Sequence, residues 1–117
     1  MTTQEVANRF NELAQQGQFD IILAELFSND AKSIEPAHSA WQTVQGLDKI
    51  MEKGKAWNEM VEEMHGGYTS APLVGGTFFT CTMGMDVTIK GKGRMNMDEV
   101  AVYEVKDGKI ISEQFFF

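Results

Sequence analysis

Apolar residues in the first half of the chain recur at helical spacing. Thr2 followed three positions on by Glu5 is a capping-box signature. Val6, Phe10, Leu13 and Ala14 then fall on one helical face, up to Gly17. Phe19, Ile22, Leu23, Leu26 and Phe27 predict a second, shorter helix, ended by the turn chemistry of Ser28-Asn29-Asp30. Ala31 to Glu35 reads as a short strand stopped by Pro36, which cannot continue a ladder. Residues 37–46 read as a loop. Leu47, Ile50, Met51, Trp57, Val61 and Met64 predict a third helix over Leu47–Met64, with Lys49, Glu52, Lys53, Lys55, Glu59, Glu62 and Glu63 on its polar side.

The period then changes to two. Gly66-Gly67 and Gly75-Gly76 bracket a short strand at Tyr68–Val74. Over Thr77–Ile89, Phe79, Cys81, Met83, Met85, Val87 and Ile89 alternate with polar residues and glycine, the signature of a strand. After a turn at Lys90–Gly93, further strands are predicted at Arg94–Val105 and Lys109–Phe117, joined as a hairpin through Asp107-Gly108. A two-residue loop pairs Val105 with Ile110. A three-residue loop pairs Val105 with Lys109 and Tyr103 with Ile111, setting Ala101 opposite Glu113 and Glu99 opposite Phe115. The longer loop is favoured here because it brings the two apolar faces together. Helices first and antiparallel strands afterwards define an α+β fold, with the helices on one face of a curved sheet.

Length and composition narrow the picture. The 117 residues fit a single domain, 1–117, and 43% hydrophobic residues supply one core. The net charge of −7 repels phosphate backbones, so no nucleic-acid partner is expected. Cys81 stands alone, which excludes an internal disulfide and any CxxC motif. The chain has neither the apolar run of a membrane span nor the basic, apolar start of a signal peptide, so a cytoplasmic protein without membrane contact is expected.

Three segments carry a family resemblance that covers nearly the whole chain: Gly17-Gln18-Phe19-Asp20 through Phe27-Ser28-Asn29-Asp30-Ala31; Ser33-Ile34-Glu35-Pro36 followed by Gly46-Leu47-Asp48-Lys49-Ile50; and Val105-Lys106-Asp107-Gly108-Lys109-Ile110. In this order they resemble the SnoaL-like proteins of the nuclear-transport-factor-2-like superfamily, relatives of polyketide cyclases and ketosteroid isomerases. The resemblance implies a cone-shaped α+β barrel, three N-terminal helices packed on a curved, mainly antiparallel sheet with a pocket between them. It also implies a homodimer through the outer sheet face. Apolar residues in both phases of one strand, such as Val100 and Val102 against Ala101 and Tyr103, agree with such an association.

The same resemblance places Glu35 at the position of the isomerase general base, and a carboxylate in an apolar pocket has its pKa raised toward neutrality. The isomerase oxyanion hole is not preserved: Phe10, Ala101 and Gly54 stand where its hydrogen-bonding residues would. A steroid isomerase is therefore not the expectation. From periodicity alone, Glu99 lies in the apolar phase of Met95, Met97, Ala101, Tyr103 and Val105, and Glu113 in that of Ile111, Phe115 and Phe117. Both are candidate acids or hydrogen-bond donors; a salt bridge or a solvated rim is the other reading. Phe10, His38, Trp41, Trp57, Tyr103, Phe115 and Phe117 are the candidate ligand-binding residues. His65 at the third helix end suits a dipole-stabilised cation. No metal is expected, because His38 and His65 lack ligand spacing. These readings converge on a pocket protein for a small hydrophobic molecule. If catalytic, it is a cofactor-free isomerase, cyclase or dehydratase with Glu35 as base; the rival is a non-catalytic ligand-binding or protein-association module.

Overall fold

The computed structural model describes residues 1–117. Thr2 caps the first helix reciprocally. Its hydroxyl accepts the Glu5 backbone N–H at 3.1 Å, and the Glu5 carboxylate accepts the Thr2 N–H at 2.9 Å. Helix α1 (Thr3–Gln15) buries Val6, Ala7, Phe10, Leu13 and Ala14, and helix α2 (Phe19–Leu26) adds Ile22 and Leu26.

The chain leaves α2 without a turn. Phe27 already has an extended backbone (φ −86°, ψ 139°) and opens strand β1 (Phe27–Ile34), ahead of the expected start at Ala31. Strand β1 runs parallel to β7 (Lys109–Phe116), pairing Phe27 with Ile110 and Lys32 with Ser112. Between those pairs β1 advances five residues and β7 two, so the polar Ser28-Asn29-Asp30 stretch is absorbed as an irregularity. Its turn chemistry is present, with the Asp30 N–H 3.3 Å from Ser28 Oγ, but it bends a strand instead of ending a helix. A two-residue strand, β2 (Val44–Gln45), pairs antiparallel with β1 inside the expected 37–46 loop.

Helix α3 (Leu47–Met60) stops short of Met64. Strand β3 (Val61–Thr69) begins at once, pairing Val61 with Ile89, Glu63 with Thr88, Met64 with Val87 and Gly66 with Asp86 of β5 (Phe78–Ile89). Glu62 and His65 are the extra residues at two bulges, which curl the strand. A ladder with a buried partner outcompetes helical spacing here: Lys90 N–H reaches the Met60 carbonyl at 3.0 Å and closes the junction. His65 therefore lies on a strand, not at a helix end, with Nε2 2.7 Å from Thr88 Oγ1. The strand expected at Tyr68–Val74 is split between the end of β3 and β4 (Leu73–Gly75), around Pro72.

Strand β6 (Gly93–Lys106) meets β7 through a two-residue Asp107-Gly108 turn, both residues at positive φ (51° and 76°). The three-residue loop favoured above is not formed: Val105 pairs with Ile110 and Glu104 with Ser112. Ile111 is the bulged residue between them, and it brings the apolar faces into phase by another route. Tyr103 consequently faces Glu113 and Ala101 faces Phe115.

The sheet order is β2-β1-β7-β6-β5-β3, with β4 beside β5; only the β1–β7 pair is parallel. Three helices on a large, mostly antiparallel sheet give the α+β cone expected. Phe10 anchors the core, its ring 5.3 Å from Phe79 and 4.7 Å from Tyr103. No helix is long and apolar enough to cross a membrane.

Candidate functional site

Cross-strand register brings the inward residues together in rows. Phe79, Tyr103, Glu113 and Ser33 pair in sequence across β5, β6, β7 and β1. In the next row Cys81 pairs with Ala101 and Ala101 with Phe115. Ile34 pairs with Gln114, so Glu35 continues that row past Phe115. Met83 pairs with Glu99 one row further. The sheet thus delivers carboxylates from the end of β1, from β6 and from β7 to one concave face.

Lys53 of α3 closes this group from above. Its Nζ lies 2.7 Å from Ser33 Oγ and 3.0 Å from Glu35 Oε1, and 6.0 Å from the centre of the Phe115 ring. Ser33 in turn donates to Glu113 Oε2 at 2.8 Å. The ion pair is largely withdrawn from water, its side chains 15% and 10% exposed. Lys53 does not point outward with the other charged residues of the polar side on which helical spacing placed it. Ile50, Lys53 and Trp57 are spaced i, i+3, i+7, which sets all three on one helical face. That spacing was the signal for Lys53, masked by its charge. Ser33, fully buried, had no comparable signal beyond its period-two relation to Glu35.

The carboxylates differ in their partners. Glu113 is 8% exposed, and burial pushes it up to about 7 against the pull of the Ser33 hydrogen bond and of Lys53. Glu99, half-buried, makes no hydrogen bond to the protein; burial first, then the nearby Glu35 charge, push it up to about 7, against Lys53. Glu35 is engaged by Lys53, and its backbone N–H donates to Thr43 Oγ1 at 3.0 Å, which ties down the following loop. Lys53 thus places a cation directly on the carboxylate expected to act as the base. Burial also raises Tyr103 well above the ordinary phenol range and the Cys81 thiol to about 11, an inert setting for sulfur.

The aromatic candidates separate into two groups. Phe10 and Tyr103, each 2% exposed, pack on one another and on Phe79 inside the core, so neither presents a free face. The others gather near the Glu35 end. Trp41 meets Trp57 edge-on at 6.2 Å, His38 meets Phe117 at 5.4 Å, and Phe115 lies under Lys53. No set of three or more His, Cys, Asp or Glu side chains is placed to hold a metal ion. Two surface recesses lie elsewhere: one of about 230 Å³ against Tyr68, Gly84 and Asp98 on the outer sheet face, one of about 530 Å³ around Gln45–Lys49.

Residues 1–117 match the profile of the SnoaL-like domain family. A Mesorhizobium loti protein, described provisionally as a SnoaL-like polyketide cyclase with carbohydrate phosphatase as a second designation, is 36% identical over 100% of both chains, with a TM-score of 0.93. TerC, crystallised with polyporic acid, is 17% identical over 98% of this chain and 90% of its own, with a TM-score of 0.73. A Catenulispora acidiphila protein with a ketosteroid isomerase-like fold, in complex with trimethylamine, is 18% identical over 82% of this chain and 72% of its own, with a TM-score of 0.68. The last two likenesses show the fold alone. No curated protein matches the chain.

Proposed function

This chain belongs to the SnoaL-like domain family, and we propose that it binds a small hydrophobic molecule and isomerises, cyclises or dehydrates it by carboxylate acid–base chemistry. One observation carries the reading: Glu99 and Glu113, on neighbouring strands of the concave face, both titrate near 7. General acids and bases work best when their pKa lies near the working pH. Glu99, with no partner in the protein, is the proton-transferring group. Glu113, when it carries its proton, donates a hydrogen bond to oxygen as negative charge develops. Glu35 is kept from the role of free base by Lys53, and the pair sets the field in which the other two act. Trp41, Trp57, His38, Phe115 and Phe117 supply the apolar and aromatic rim. TerC, crystallised with polyporic acid, has the same fold and supports a small-molecule ligand here. No cofactor is required by the scheme.

The test is deuterium uptake at the α-carbon of an aryl ketone in D₂O, followed by NMR. Wild type accelerates exchange, and Glu99→Gln loses about 100-fold or more of that acceleration. Equal acceleration by wild type and Glu99→Gln sinks the assignment.

We also propose that the chain forms a homodimer through the outer sheet face. Phe78, Val100 and Phe116 are 46%, 39% and 49% exposed there, an apolar surface that invites association. Light scattering that gives the single-chain mass of 13.1 kDa removes this proposal.

A further inference from the structure

Resting on the reading of the concave carboxylates as the functional site, we infer that Lys53 and Ser33 are positioning residues that fix the proton of neutral Glu113 on its Oε1. The site then takes its ligand through a hydrogen-bond acceptor, a carbonyl or oxyanion oxygen, and not through an ammonium group.

Hydrogen-bond polarity fixes each link. Lys53 Nζ lies 3.0 Å from a Glu35 carboxylate oxygen, the contact of an ammonium. An ammonium has three donors and no lone pair. In its 2.7 Å contact with Ser33 Oγ the lysine must therefore donate and the serine accept. Ser33 is fully buried and has a single O–H to give. Its other partner is Glu113 Oε2, at 2.8 Å, so that oxygen receives the serine proton. A carboxylic acid with its own proton on Oε2 would set two hydrogens against each other across that contact. The acidic proton is thus confined to Oε1.

Oε1 has no partner in the protein. It is not sealed off either, since no buried side-chain oxygen or nitrogen is left without a partner. Oε1 is thus the oxygen of Glu113 that keeps accessible surface, in a residue otherwise 8% exposed. A ligand carbonyl there receives the Oε1 proton, and that bond strengthens as the carbonyl oxygen gains charge. An ammonium in the same position, a donor without a lone pair, would set N–H against O–H and face the Lys53 charge. Glu99, without any hydrogen bond in the protein, carries no such constraint, so the fixed donor and the free acid–base group are different residues.

Neutron diffraction from a deuterium-exchanged crystal at mildly acidic pD locates the hydrogens. The expected result is a Ser33 deuteron directed at Glu113 Oε2 and a carboxyl deuteron on Oε1. A carboxyl deuteron on Oε2, or a Ser33 deuteron directed elsewhere, overturns the relay and leaves the functional reading standing. An ionised Glu113 at that pD overturns both the functional reading and the placement of its proton. In solution, 4-nitrophenolate should bind at least about tenfold more tightly than benzylammonium. That preference should collapse in Ser33→Ala and persist in Lys53→Arg, which keeps a donor-only cation. Tighter binding of benzylammonium, binding of neither probe, or a preference unchanged in Ser33→Ala overturns the acceptor selectivity.

Discussion

Asp98 and Glu99 are neighbours on β6, yet the pleat sends them to opposite sides of the sheet. On the outer face Asp98 accepts the Tyr68 hydroxyl at 2.9 Å, in reach of water. Nearby, Asp86 is gripped by Arg94 at 2.8 and 3.0 Å and held below the usual carboxylate range by that hydrogen bond. On the inner face Glu99 has no partner and Glu113 has one hydroxyl, and burial pushes both up to about 7. The outer acids are ordinary surface charges because water and arginine remain available to them. The inner acids are pushed upward because the helices and sheet remove the water and supply one lysine for three carboxylates. A one-residue step along a strand is enough to exchange the two roles.

The comparison breaks most severely where the single inner cation is removed. Lys53→Met leaves Glu35 buried and unpaired and should cost about 3 kcal/mol in urea denaturation above neutral pH. The loss should shrink in mild acid, as the inner carboxylates take up protons. An equal loss at both pH values would show that Lys53 serves packing alone.

Next in size is the pH dependence of stability. Glu113 titrates at about 7 in the fold against an ordinary 4.5, so between these values the native state holds more protons than the unfolded chain. The contribution of this group is therefore fully present below the lower value and is lost as pH rises through the higher one. The slope this group contributes is about 1 kcal/mol per pH unit. Glu113→Gln should flatten the decline and leave the variant more stable than wild type at alkaline pH. A wild-type stability curve that rises between the two values would contradict the raised titration.

The smallest effect belongs to the outer face. Arg94→Ala removes an exposed pair and should leave the melting temperature close to wild type, with any difference erased by high salt. A large, salt-resistant loss would mean that the interface proposed around Phe78, Val100 and Phe116 extends along β5 as far as Asp86.

The sequence by itself determined features whose cause is local. Thr2 and Glu5 cap their helix because the capping groups are three residues apart. The alternation over β5 and β6 assigns Phe79, Cys81, Glu99 and Tyr103 to one face because successive side chains of a strand must point to opposite sides. Asp107-Gly108 marks the hairpin because both positions tolerate positive φ, although the two-residue form of its loop was decided by the fold and not by the sequence. The order of such features also identified the superfamily. Tertiary structure alone decided what depends on a partner distant in the chain. Phe27 and Val61 fit a helical period, yet both enter strands because β7 and β5 offer ladders to them. Ile111 bulges because the apolar faces of β6 and β7 must coincide, a condition that a short loop cannot satisfy by itself. Lys53 is drawn out of water only because Ser33 and Glu35, eighteen or more positions away, are brought beneath it. The protonation of Glu99 and Glu113 belongs to the same class: a carboxylate takes its pKa from the water and charges around it, and those are arranged by the whole fold.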